Sequence, residues 1–113
     1  MSVTKNSNII KSPKLKGEII ENILLLLNSK EVCIDELFFE IQNMMQVSYT
    51  VLKKYLVYLI DFELVTYNGQ KKAYFIEDGG FDLLENINME KNSLKADYED
   101  MTITLEKEFI FEK

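Results

Sequence analysis

No histidine and no arginine occur in this chain, and it has one cysteine, one proline and four glycines. Each shortage excludes chemistry. Without histidine there is no imidazole to move a proton near neutral pH, and the commonest metal ligand is missing. The single cysteine, Cys33, forms no internal disulfide; set between Val32 and Ile34, it reads as a small buried hydrophobe. The glycines build no phosphate-cradling loop, and no nucleophile stands beside a base. No catalytic residue, metal or cofactor is expected, and the acid pairs Asp35-Glu36 and Glu77-Asp78 read as caps or solvated charges at element boundaries. The longest apolar run, Ile23 to Leu27, is too short to span a bilayer. The opening MSVTKNSNIIKSPK lacks the apolar centre of a signal peptide. The expectation is a cytoplasmic protein with no membrane partner.

What is present is enough for one core. Hydrophobic residues make up 47% of 113 residues, which fits one compact domain plus an extension. All the positive charge is lysine. Lysine acts as a point charge on phosphate, whereas the bidentate reading of guanine belongs to arginine. Net charge is −6, but it is unevenly placed. Residues 1–16 carry Lys5, Lys11, Lys14 and Lys16 and no acid, while residues 17–64 and 81–113 are both acidic. Residues 1–11 therefore read as a flexible basic arm, either laid on phosphate or solvated.

The chain then alternates helical periodicity with turn signals. Ser12-Pro13 is a helix-start pair, and Leu15, Ile19, Ile20, Ile23, Leu24, Leu26 and Leu27 carry the spacing of a mostly buried helix over 13–28. Glu31 to Ile34 suits a brief strand. Asp35 is the predicted cap of a second helix over 35–45, with Leu37, Phe38, Ile41, Met44 and Met45 as its core stripe. After Gln46-Val47, Ser48 caps a third helix, SYTVLKKYLVYLI. Leu52, Tyr55, Leu56, Leu59 and Ile60 form its buried side and Val51 and Val57 its margin; Tyr49, Thr50, Lys53 and Lys54 face out. Two helices joined by a tight turn, the second with a polar front, form the helix-turn-helix pattern. Phe62 to Val65 ends the third helix and starts a strand that Thr66-Tyr67 continues. Gln70 to Ile76 returns as a second strand around Asn68-Gly69, joined by a loop of two residues or of five, so that residues 64–76 form a wing. Past Gly79-Gly80, one heptad register links Ile87, Leu94 and Met101 to Leu84, Tyr98 and Leu105, with Lys91 interrupting the seam. This predicts a long C-terminal helix over 81–113 that pairs with a second copy. A helix folded back on the same domain, and a strand over 101–105, are its alternatives.

The fold class expected is α+β, mostly α: a winged helix-turn-helix domain over 12–80 followed by the long C-terminal helix. Its candidate DNA-binding residues are Ser48, Tyr49, Thr50, Lys53 and Lys54 on the third helix and Asn68, Gln70, Lys71 and Lys72 on the hairpin. A helix fits the major groove and presents its amino-terminal side chains to base edges, while a lysine-tipped hairpin beside it meets the backbone. Few lysines per protomer predict weak, salt-sensitive binding by a monomer, and dimerisation would double the contacts.

Within residues 15–88 the sequence resembles the small archaeal winged-helix proteins that dimerise through a C-terminal coiled coil and, more distantly, the PadR-like transcriptional regulators. The residues that carry the likeness are SYTVLKKYLVYLI, the following Phe62-Glu63-Leu64-Val65, and Tyr74-Phe75-Ile76 leading to Gly80 and a helix. The resemblance implies binding to double-stranded DNA, homodimerisation and a role in transcription control or chromosome organisation. The acidic charge favours a sequence-specific regulator over an architectural protein. A different class of function, a winged helix that binds a protein partner or mimics DNA with its acidic surface, follows from the same charge.

Overall fold

The computed structural model of the protein describes residues 12–106 and 108–112, with the backbone alone for 94–97. The expected basic arm, with Lys5 and Lys11, lies outside the described residues. The fold is α+β and mostly helical. In chain order the elements are β1 (Lys14–Lys16), α1 (Gly17–Ser29), α2 (Ile34–Gln42), α3 (Tyr49–Asp61), β2 (Val65–Asn68), β3 (Ala73–Ile76) and α4 (Asp78–Leu94). A 3-10 turn (Lys95–Asp100), β4 (Thr102–Thr104) and β5 (Ile110–Glu112) follow.

α1 is the axis of the core. Ile19, Ile20, Ile23, Leu24 and Leu27 recur every three or four residues and are all buried. Around them pack Leu37 and Ile41 of α2, Leu52, Leu56 and Leu59 of α3, Leu83 and Ile87 of α4, and Met101, Ile103 and Leu105 from the chain's end. α3 closes with a left-handed cap. Glu63 has φ 60, its N–H donates to Ile60 O at 2.9 Å, and Leu64 N–H donates to Leu59 O at 2.8 Å. That reversal drops Leu64 into the core and launches β2.

β2 and β3 form an antiparallel hairpin with Val65 opposite Ile76 and Asn68 opposite Ala73. The loop is thus Gly69 to Lys72, four residues; neither predicted length is observed, and Gln70, Lys71 and Lys72 belong to the loop rather than to the second strand. Gly69 does not take a positive φ; Lys72 does, at 53. The physical reason is Asn68, whose Oδ1 accepts from the N–H groups of Gln70 (3.0 Å) and Lys71 (3.2 Å) and so winds the loop inward. Val32 exchanges two backbone hydrogen bonds with Tyr74 (3.0 and 2.8 Å), so the link between α1 and α2 extends the hairpin by a bridge.

Several local predictions are corrected. Ser12-Pro13 does not start α1: residues 14–16 pair with Thr102–Thr104, and Pro13 O accepts from Leu105 N at 3.0 Å. A strand partner from the far end of the chain overrides the local helix signal. α2 begins at Ile34 with Cys33 at its cap rather than Asp35, and Cys33 is exposed, not buried.

The long helix over 81–113 is also not formed. α4 ends at Leu94, the chain turns back, and β4 slots between β1 and β5. Of the predicted seam, Ile87, Met101 and Leu105 are 0% exposed within the protein's own core, and Leu84 and Tyr98 pack against it. The side chain of Leu94 lies outside the described residues. The seam therefore faces inward rather than toward a second copy. Lys91, which interrupts the heptads, explains part of this. Its ammonium pairs with Glu21 Oε2 at 3.0 Å and sits 4.9 Å over the Tyr98 ring, and the Tyr98 hydroxyl donates to Glu21 Oε1. Glu21 is 8% exposed, the one buried charged side chain among the described residues. A carboxylate in that position needs its partners; α4 supplies Lys91 and the folded-back segment supplies Tyr98.

Two outcomes follow. A Cβ on Gly80 would lie 2.4 Å from Leu64 O and 2.5 Å from Ile76 Cγ1; Gly80→Ala should cost about 2–3 kcal/mol in urea denaturation, because a backbone atom cannot step aside. Burial, then the hydrogen bond to Glu21, raise the Tyr98 phenol far above its ordinary 10.0. Folding favours its neutral form, so this contribution is constant below pH 10 and is lost as pH rises further, where the unfolded chain ionises first. Denaturation across the alkaline range should show that decline, and Tyr98→Phe should flatten it.

Candidate nucleic-acid interface

The outward face of α3 follows from its buried one. Leu52, Tyr55, Leu56 and Leu59 point into the core. At about 100° per residue, Thr50, Lys53, Lys54 and Val57 are then left on the opposite side, and all four are exposed. Ser48 caps the helix: its Oγ accepts from Val51 N at 3.1 Å. The predicted residues thus divide by what they already do. Ser48 and Asn68 spend their oxygens on their own turns. The Tyr49 ring stands edge-on to Phe38 at 5.4 Å, with Lys53 Nζ 5.6 Å over it. This arrangement stiffens Lys53 over the first turn of the helix.

Lys71 at the hairpin tip reaches Glu31 at 3.3 Å, an exposed pair of little energetic weight. Among the described residues Lys53, Lys54 and Lys72 make no ion pair. Thr50, Lys53, Lys54, Gln70 and Lys72 are therefore the predicted residues left free to meet a partner. Val57, read from sequence as marginal core, belongs with them: it is 55% exposed and one turn beyond Lys53 and Lys54. The spacing from Thr50 through Lys53 to Val57 was the signal, masked by the usual reading of valine as core. An apolar side chain there suits contact with a thymine methyl in a major groove.

The hairpin borders one edge of this face. Ile60 of α3 shares a cleft of about 550 Å³ with Val65, Thr66 and Tyr67. Burial raises the phenol of Tyr74, with Tyr67 and Tyr49 adding to the shift, so those three rings share one region. Charge is split along the site. Glu63, Glu77 and Asp78 line the same cleft at the hairpin's base, where the Thr66 hydroxyl donates to Glu77. The lysines sit at the hairpin tip and the amino-terminal half of α3. An anionic partner is repelled from the base and accepted at the tip. A second groove, of about 530 Å³ and lined by Phe38, Gln42, Gln46, Val47, Ser48 and Tyr49, opens at the foot of α3 with amide and hydroxyl groups on its walls.

No protein family matches the chain, and no curated protein and no solved structure matches it either. The interpretation of the site therefore rests on its geometry and chemistry.

Lys72 is a site residue that also bears strain. Its positive φ is costly for any side chain with a Cβ. Lys72→Gly should raise stability by about 0.5–1 kcal/mol in chemical denaturation while removing one charge from the hairpin tip.

Proposed function

We propose that this protein is a winged-helix DNA-binding protein and acts as a transcriptional regulator on duplex DNA. The observation that carries the reading is the bare polar face of α3, with Thr50, Lys53, Lys54 and Val57, set beside a hairpin whose tip holds Gln70, Lys71 and Lys72. The order α1, bridge at Val32, α2, α3, β2, β3 supports a winged helix-turn-helix, with the hairpin as the wing. α3 enters the major groove by its amino-terminal half. Lysines neutralise phosphates on either side, and Val57 and Thr50 meet base edges. Without arginine, affinity comes mainly from phosphate and is strongly salt-dependent. Homodimerisation through residues 84–105 is not part of this proposal, because that seam is internal.

A second reading is favoured by the acidic cleft of Glu63, Glu77 and Asp78: a winged helix that docks a basic protein segment. DNA titration separates the two. Fluorescence anisotropy with a labelled random-sequence duplex at low salt should give binding, and Lys53→Glu combined with Lys54→Glu should weaken it on the order of 100-fold. Binding by wild type that is indifferent to the double substitution would remove α3 from the interface. No binding at any salt concentration would favour the protein-docking reading.

A further inference from the structure

The hairpin covers one edge of the outward face of α3. The opposite edge is the stripe Val51, Tyr55 and Tyr58, which lies a half-turn from Tyr49, Lys53 and Ile60 on a helical wheel. β1 is tied to that edge at one point. The main-chain N–H of Lys16 donates to the Tyr55 hydroxyl at 2.9 Å, and Tyr55 is 7% exposed in the middle of α3. Burial raises the Tyr55 phenol, and the hydrogen bond from Lys16 works against that shift. β1 is held in place from its other side as well, by its pairing with β4 and by Gly17 N–H donating to Met101 O at 2.9 Å. A strand hydrogen-bonded at both edges is thus joined to α3 through Tyr55.

Its side chains alternate as a strand requires. Leu15 is buried, and Lys14 and Lys16 point to solvent. Lys16 makes no ion pair among the described residues, whereas Lys14 is engaged by Glu112 at 2.9 Å from β5, the far strand of the same sheet. The edge of α3 next to β1 also carries Lys54, so a second set of cations flanks the helix on the side away from the hairpin.

We propose that β1 is the second flank of the DNA interface. In this arrangement Lys16 contacts a phosphate across the groove from the one met by the hairpin tip, and Glu112 holds Lys14 back from a further phosphate contact. The inference rests on the DNA-binding reading above and deepens it: α3 is bracketed by cations on both sides, so the duplex is gripped across the groove rather than from one side. The anionic partner is the phosphate backbone itself, so the contacts of Lys16 are independent of base sequence.

The test is a salt titration of anisotropy with a labelled random-sequence duplex, using the full chain. Lys16→Gln should lower affinity about fivefold and reduce the slope of log K against log salt by about 0.9, the value of one phosphate contact. Its thermal midpoint should stay at that of wild type, because the tie to Tyr55 runs through the main chain. Glu112→Gln should act in the opposite direction, raising affinity about two- to threefold and steepening the slope by releasing Lys14. If Lys16→Gln and Glu112→Gln both bind like wild type while Lys53→Glu plus Lys54→Glu loses binding, β1 is outside the footprint, and the inference falls while the reading of α3 stands. Failure of wild type to bind would overturn both.

Discussion

The buried carboxylate of Glu21 sets a condition that much of the chain meets. It sits on α1, among isoleucines and leucines, and a bare charge there would be very costly. Lys91 satisfies it from α4, which packs on α1, and Tyr98 arrives because the chain beyond Leu94 turns back. The energy of that return comes mainly from elsewhere. Met101, Ile103 and Leu105 are fully buried, at about 1.5–3 kcal/mol apiece, whereas a partly exposed ion pair contributes far less. The carboxylate selects where the return docks; the apolar side chains make it stable.

That docking propagates toward the proposed interface. The returning β4 pairs with β1, β1 places the Lys16 amide on Tyr55, and Tyr55 belongs to α3. On the other side, the left-handed cap at Glu63 and the close approach of Gly80 to Leu64 hold the start of the hairpin and of α4 together. α3 is therefore held on one side by the hairpin that follows it and on the other by β1 from 39 residues away, while its outward face stays bare. A rigid helix with a bare face is what recognition of a grooved surface requires. The same construction concentrates acids at the base of the hairpin and cations at its tip, so a net charge of −6 coexists with a locally basic face.

Particular residues show how far the sequence could be read. The helix over 49–61 was legible because Ser48, the leucine spacing and the absence of glycine or proline all agree on one local answer. Lys53 and Lys54 were placed on its outward face for the same reason. Val57 was not, because a valine at the margin of an apolar stripe carries no local sign of which way it turns. Asn68 marked the hairpin but not its loop, since its side chain, not Gly69, directs the turn. Of the heptads beyond Gly80 only the stretch to Leu94 is helical, and Ile87, Met101 and Leu105 are buried in the core of their own chain. A seam read from spacing says that a face is buried and does not say against what.

By itself, then, the sequence determined the local grammar: a lysine-only, histidine-free chain, its central helices, a capped α3 with a polar front, and a hairpin after it. These depend on neighbours within a few residues, where propensity, capping and periodicity act. Only the tertiary structure decided that residues 14–16 are a strand, that the C-terminal segment folds inward, that Glu21 is answered by Lys91 and Tyr98, and that the Lys16 amide meets Tyr55 of α3. Each of these joins residues far apart in the chain, and such pairings are set by which distant surfaces can be buried together, a choice that no local pattern encodes.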